Sequence, residues 1–227
     1  LLAVGVVIGV LLAIVDEQRG LASLDARVAT WGAEHRTDTS TRVVEAITQL
    51  GARPVVLAAL VLVAAGDQLR RRNREVFAFV ATVGLGEMVL GNVIKLIVHR
   101  ERPSVLRLVE AGGWSFPSGH TSAAAAGWMA VALVLGRNRP VRVRALLSAG
   151  AVLIASAVAT SRALLGVHWL TDVIAGSITG WGWFTLVTLL FGGRLMRFGE
   201  PAIRASKGKV APLAEDELEQ HLEQETA

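Results

Sequence analysis

Cysteine is absent from all 227 residues. That excludes disulfides, thiolate nucleophiles and cysteine-ligated metal sites, and it leaves the compartment open. Charge is sparse: 19% of residues are Asp, Glu, Lys or Arg, against 52% hydrophobic. An ordinary soluble domain carries more of the first and fewer of the second. The sequence starts without methionine, and no basic stretch precedes its first apolar run, so a signal-peptide core has little support. A dinucleotide-binding loop is lacking too: Gly84-Leu85-Gly86 has neither the third glycine nor a strand–turn–helix context. No cluster of carboxylates suggests a metal, so no metal site and no cofactor is expected.

What the chain does have is a series of apolar runs of membrane-spanning length. The expected fold class is all-α, a polytopic six-helix membrane bundle with short surface helices in its first outer loop. Leu1–Val15 reads as a first span whose start lies upstream. Pro54–Gly66 is the core of a second span, extended back through Ile47 and Leu50. Val76–Val98, Ser118–Gly136, Ala145–Thr160 and Trp169–Phe191 follow as the third to sixth. Between the first two spans, Leu21, Leu24, Val28 and Trp31 recur at helical spacing, as do Val43, Val44, Ile47 and Leu50. Residues 1–198 are read as one membrane domain, and 199–227 as a polar tail, disordered or partly helical, that ends acidic from Glu215 to Glu225.

Charge sets the orientation. Arg70, Arg71, Arg72 and Arg74 separate spans two and three, and Arg137 to Arg144 separate spans four and five. Arg194, Arg197, Arg204, Lys207 and Lys209 follow span six. Basic connections stay cytoplasmic, and six spans put all three on one side. Asp16–Arg53, with five arginines and six acids, fits the outside. The polar stretches at Lys95–Pro103, Pro117–His120 and Ser161–Asp172 then share the outer face.

Those three stretches carry the chemistry. His168 and Asp172 are four apart, so on a helix they lie one turn apart on one face. A carboxylate there fixes the imidazole tautomer and favours its cation, which suits a histidine that attacks. Arg162 is six residues earlier, about 240° round an ideal helix. Both serve one site only if the helix breaks between them, and Gly166 is the expected break. In the second stretch, Ser118 can cap the fourth span, and Gly119 lets an anion approach the first free N–H groups. His120 adds a titratable group beside them. In the third span, Lys95 precedes Arg102, whose backbone Pro103 restrains. Taken singly, each stretch also fits a structural role: a snorkelling lysine, a capped helix, a polar loop. Together they assemble a phosphate-sized oxyanion site from three cations, a hydroxyl and backbone amides, with two histidines for a displacement in two steps. Glu87, deeper in the third span, is expected to pair inside the bundle. Gly176 and Gly180 are expected to pack a neighbouring helix of the same chain.

The spacings Lys95-x6-Arg102-Pro103, Pro117-Ser118-Gly119-His120 and Ser161-Arg162-x5-His168-x3-Asp172 resemble the three motifs of the type-2 phosphatidic acid phosphatase superfamily. No position departs from them. The resemblance implies an integral membrane lipid phosphatase that works without metal. It implies that His168 attacks phosphorus to form a phosphohistidine and that Asp172 orients His168. His120 would protonate the leaving oxygen and then activate water. Lys95, Arg102, Ser118, Gly119 and Arg162 would hold the phosphoryl group. Soluble vanadium haloperoxidases share the constellation, but six spans argue against them.

The expected substrates are lipid phosphate monoesters or diphosphates, such as undecaprenyl diphosphate, phosphatidylglycerol phosphate or phosphatidic acid. The motifs read the phosphate and not the tail. Competing readings are a phosphotransferase that passes the same phosphohistidine to an alcohol, and a non-enzymatic lipid phosphate transporter. The second needs only the cations, not His120, His168 and Asp172. The expected partners are the substrate and membrane lipids, with no nucleic acid, and no oligomeric state follows from the sequence. The expected location is the cell membrane, multi-pass, with the site outside and the C-terminus in the cytoplasm.

Overall fold

The computed structural model describes residues 22–71, 74–104 and 112–195. The expected first span and the tail at 199–227 lie outside the described residues. The site lies within the first of two units into which the chain divides, the boundary falling after Phe191. Among the described residues every regular element is a helix: α1 Ala22–Glu34, α2 Asp38–Gln49, α3 Arg53–Arg71, α4 Glu75–Val98, α5 Gly119–Gly136, α6 Val141–Leu164 and α7 Leu170–Leu195.

Four of these, α4 to α7, are long and apolar enough to cross a membrane. They coincide with the expected third to sixth spans, but α6 is longer. It starts at Val141 behind Pro140 and runs to Leu164. Hydropathy marks only the apolar middle of such a helix, whereas arginine is a good helix former and carries it past the apolar edge. The expected second span is not one straight rod. Helices α2 and α3 reach spanning length and apolarity only as a pair, bent by 45° at Leu50–Ala52. Thr37 starts α2 through a capping box, its Oγ1 accepting from Ser40 N at 3.1 Å while Ser40 Oγ accepts from Thr37 N at 2.9 Å.

Helix α5 is the centre of the bundle, with 61% of its spanning window buried against 33%, 17% and 33% for α4, α6 and α7. Ala123 to Ala126, Gly127 and Ala130 are all buried, and such small side chains let neighbouring backbones come close. Helix α7 uses that. A Cβ on Gly176 would stand 2.7 Å from Ser118 O, and one on Gly180 would collide with Ser122 O. The Gly176/Gly180 pair therefore packs α7 on α5 within the chain. The outward faces stay apolar: Leu62, Leu96, Leu146, Leu153, Leu189 and Leu190 are all exposed. A bundle with polar groups inside and leucines outside is suited to lipid, and the chain is an integral membrane protein.

Two buried acids tie the bundle. Glu87 of α4 accepts a short hydrogen bond from Ser122 Oγ of α5, which supplies the expected internal partner. At the opposite end from the motifs, Arg137 Nη1 sits 2.9 Å from Asp67 Oδ2, joining the end of α5 to α3. Helix α1 turns Asp25 and Ala29 inward and leaves Leu24 and Trp31 exposed. Its approach to the end of α6 is close, since a Cβ on Gly32 would lie 3.1 Å from Leu164 O. Small residues and one acid, not the leucine stripe, thus form its inner face.

Candidate active site

The three polar stretches meet at one end of the bundle. Helix α4 stops at His99, whose φ of 50° is left-handed, and the chain folds back so that Ser115 N donates to Arg100 O at 2.7 Å. Lys95 locks this fold. Its Nζ donates to Trp114 O and Pro117 O, each at 2.7 Å, and lies 3.4 Å from Ser115 O. Arg102 braces the same segment, donating from Nε to Gly113 O and from Nη2 to Gly112 O at 3.0 and 2.9 Å.

Helix α6 ends at Leu164, and Gly166 follows with φ of 68°, a conformation open to glycine at little cost. That turn redirects the chain into α7 and lets Arg162 and His168 face one space. His168 consequently stands in the link before α7, not one turn below Asp172 on a continuous helix. Its Nδ1 lies 3.4 Å from Asp172 Oδ2, and its Nε2 lies 3.0 Å from Arg102 Nη1. A guanidinium only donates, so Nε2 carries the lone pair and Nδ1 the proton, facing the carboxylate. Burial pushes the His168 imidazole down to about 4; the hydrogen bond and charge of Asp172 oppose this, while Arg102 and Arg162 add to it. The sequence pairing favours a cation, but desolvation at 3% exposure wins. His168 is neutral at pH 7.

Asp172 is completely buried and saturated with donors. Trp169 N donates to Oδ2 at 2.9 Å, Ser115 Oγ makes a short bond to the same oxygen, and Arg100 Nη1 donates to Oδ1 at 2.6 Å. Arg100 reaches further. Its Nη1 also donates to Thr171 Oγ1, and its Nη2 to Asp25 Oδ2, both at 2.7 Å. Asp25 in turn accepts from Thr171 N at 2.8 Å and Thr171 Oγ1 at 2.6 Å. Arg100, Asp25 and Ser115 escape a reading of the sequence. The only local signal is a second arginine two residues before Arg102.

Ser118 occupies the N-cap of α5, yet its side chain makes no cap bond. Its Oγ accepts from Thr121 Oγ1 at 3.0 Å, and its N–H goes to Asp172 O at 3.0 Å. The expected side-chain cap is therefore replaced by a tie between the starts of α5 and α7. The N–H groups of Gly119, His120 and Thr121 have no partner within the helix, as first-turn groups. His120 feels the charges of Arg162, Arg53 and Arg102 and interacts with His168. Arg162 is buried; its Nη1 lies 3.2 Å from Thr48 Oγ1, and its Nε finds no partner among the described residues. Lys95, Arg102, Arg162, Ser118, Gly119, His120, His168 and Asp172 are thus brought to one end of the bundle. Lys95 and most of Arg102 are turned to backbone carbonyls. No described group of three or more His, Cys, Asp or Glu side chains is arranged to hold a metal ion.

Comparison with known proteins gives consistent matches. Phosphatidylglycerophosphatase B of Bacillus subtilis (strain 168) is 33% identical over 151 residues, 66% of this chain and 70% of that protein. Phosphatidylglycerophosphatase B of Escherichia coli (strain K12) is 35% identical over 106 residues, 44% of this chain but only 39% of the relative. The crystal structure of a transmembrane PAP2-type phosphatidylglycerolphosphate phosphatase from Bacillus subtilis superposes with a TM-score of 0.78 at 28% identity, covering 85% of this chain and 96% of that one. Aquifex aeolicus LpxE shares the fold, with a TM-score of 0.55 at 23% identity over 72% of this chain and 94% of that one. The family model described as PAP2 superfamily matches residues 75–195. That is more than half of the sequence and includes all three polar stretches, so the chain belongs to the PAP2 superfamily.

Proposed function

We propose that the protein is a membrane lipid phosphatase working through a phosphohistidine. The observation that carries this is the placement of His168: buried, with Nδ1 3.4 Å from Asp172 Oδ2 and Nε2 3.0 Å from Arg102 Nη1. Nε2 attacks phosphorus, the bond from phosphorus to the leaving oxygen breaks, and His120 gives that oxygen a proton. As Nε2 gains its bond the imidazole becomes cationic, and Asp172 stabilises it. His120, now a base, takes a proton from water, which attacks phosphorus and releases phosphate and neutral His168. The unpaired Arg162 Nε, Arg102, Lys95 and the N–H groups at Ser118, Gly119 and His120 offer donors to the phosphoryl oxygens. Use of Lys95, Arg102 and the Ser118 N–H requires exchange of the partners they hold here.

The wider reading keeps six spans, with α1 and the elbow of α2 at the outer surface. It keeps the site on the extracytoplasmic face, the 1–198 domain, and a cytoplasmic tail at 199–227. The basic Arg70–Arg74 and Arg137–Arg144 connections support that orientation. Phosphatidylglycerol phosphate, the substrate class named in the relatives, joins undecaprenyl diphosphate and phosphatidic acid as a substrate to test. Phosphate release by purified protein across these three lipids is the deciding measurement. Release from at least one, abolished in His168→Ala, is expected; none from any would favour a carrier.

A further inference from the structure

We infer that Arg53 reads a second phosphate in the substrate, lying between the phosphoryl group under attack and the lipid tail. The inference rests on the lipid phosphatase reading above. It starts from the elbow between α2 and α3, which the three motifs do not include. That elbow is held against α5 and α6 at three points. Arg162 Nη1 donates to Thr48 Oγ1 at 3.2 Å. Trp128 Nε1 donates to Leu50 O at 2.9 Å. Gly51 lies so close to α5 that a Cβ there would stand 2.7 Å from His120 O. Arg53 is the first residue of α3, and this seating delivers its guanidinium to the first turn of α5. Its Nη2 stands 3.4 Å from where a Cβ on Gly119 would be.

Arg53 is half-buried, and its one side-chain hydrogen bond among the described residues is a long one, 3.3 Å to Asn92 Oδ1. Lys95 and Arg102 each hold several carbonyls; among the described residues Arg53 holds none. Its charge acts on His120 and Lys95, and on the buried Glu87 across the cleft. Arg53 also lines a narrow cleft between α3, α4 and α5, together with Val56, Leu57, Val83, Met88 and the buried acid Glu87. Arg53 therefore stands between the anion-binding turn and a narrow, mostly apolar cleft that also holds Glu87, beside the histidine that serves the leaving group.

A phosphate esterified directly to a lipid glycerol places no second anion at that point. A lipid diphosphate, or a phosphate monoester carried on a phosphodiester-linked glycerol, places one there. In the diphosphate case the bond broken runs from the terminal phosphorus to the bridging oxygen, and the leaving group is the lipid monophosphate. Its growing charge falls beside Arg53. A guanidinium suits this role because its fork binds two phosphate oxygens at once.

The test compares kcat/KM for a polyprenyl diphosphate with kcat/KM for phosphatidic acid, in detergent, for wild type, Arg53→Ala and Arg53→Lys. The ratio should fall about tenfold or more in Arg53→Ala, as for loss of a charge-assisted hydrogen bond, and Arg53→Lys should recover part of it. If Arg53→Ala does not give monodisperse protein, Arg53→Gln provides the same comparison. An unchanged ratio overturns the inference, whether both activities fall together or neither does. Wild-type protein that releases phosphate from neither of these two lipids overturns the inference, and if phosphatidylglycerol phosphate is not cleaved either it overturns the phosphatase reading as well; both are visible before any variant is made.

Discussion

Arg100 bridges two buried carboxylates, with Nη1 2.6 Å from Asp172 Oδ1 and Nη2 2.7 Å from Asp25 Oδ2. Asp172 thereby faces His168 with one oxygen and Arg100 with the other. The bridge gives the carboxylate a fixed plane, so the imidazole is aimed by groups that never touch substrate. Asp25 comes from α1 and extends that control to a helix outside the three motifs. Trp169 closes the arrangement: its ring lies 5.5 Å from the Arg100 guanidinium carbon, and its Nε1 donates to Glu101 O at 2.9 Å.

Removing Arg100 should leave two buried acids without their shared cation. Breaking such a pair typically costs about 3–5 kcal/mol, so Arg100→Ala should unfold at a clearly lower temperature in detergent. A misplaced imidazole should also lower kcat on the order of 10²-fold. Arg100→Lys should regain stability but less of the rate, because a point charge cannot hold both carboxylates in the same geometry. Asp25→Asn should be milder, since its amide oxygen can still accept from Thr171. Thermal unfolding set beside kcat and KM checks this. Equal recovery of rate and stability in Arg100→Lys would reduce Arg100 to a structural role.

The His168 imidazole should stay neutral far into acid. Its proton is gained near 4 rather than near the ordinary 6.5, so at about pH 5.5 it should be a neutral Nδ1–H tautomer while an unperturbed histidine is mostly cationic. Asp172 opposes the lowering, and Asp172→Asn should therefore move protonation lower still. Nitrogen NMR of histidine-labelled protein, with His168→Gln to assign the signal, reads both tautomer and charge. A cationic His168 at that pH would contradict the assignment of Nε2 as a ready lone pair.

Orientation is open to a direct chemical test, because the native chain has no cysteine. Ser104→Cys lies on the exposed segment after α4, beside the site, and Arg139→Cys on the exposed turn before α6. An impermeant thiol reagent added to intact cells should label the first and not the second. The reverse pattern would place the site in the cytoplasm.

How much of this could be read from the chain divides along sequence distance. Lys95, Arg102, Ser118, Gly119, His120, Arg162, His168 and Asp172 fall in three short stretches, and a local pattern can expose them. Gly166 could be found as a break because one helix cannot present Arg162 and His168 together. Asp25 could not. Its contact with Thr171 spans 146 residues, and an acid in a short helix between spans looks like ordinary surface. Arg53 and Thr48 are hidden in the same way, by an elbow that apolar periodicity reads as one continuous span. The charge of His168 is hidden for a related reason. The partner carboxylate is visible in the sequence, but the extent of burial is set by packing of α5, α6 and α7. Helix ends are hidden where arginines carry a helix beyond its apolar core, as at Val141–Arg144.

The two histidines should separate kinetically. If His168 is the nucleophile, it is needed whatever group leaves. If His120 is the general acid, it matters most for a poor leaving group such as a lipid alcohol, where such catalysis is worth roughly 10²–10⁴-fold. A nitrophenolate needs little protonation. With nitrophenyl phosphate, His120→Ala should form the phosphoenzyme readily but hydrolyse it slowly, because the same residue activates water. The expected record is a rapid burst of nitrophenol followed by slow turnover. His168→Ala should give neither phase with either substrate. Asp172→Asn should fall between, since the imidazole stays in place without its charge partner. Single-turnover measurements on the detergent-purified variants decide it. A full burst from His168→Ala would move the nucleophile to another residue, and a His120→Ala that is equally slow in both phases would remove His120 from its two assigned proton transfers.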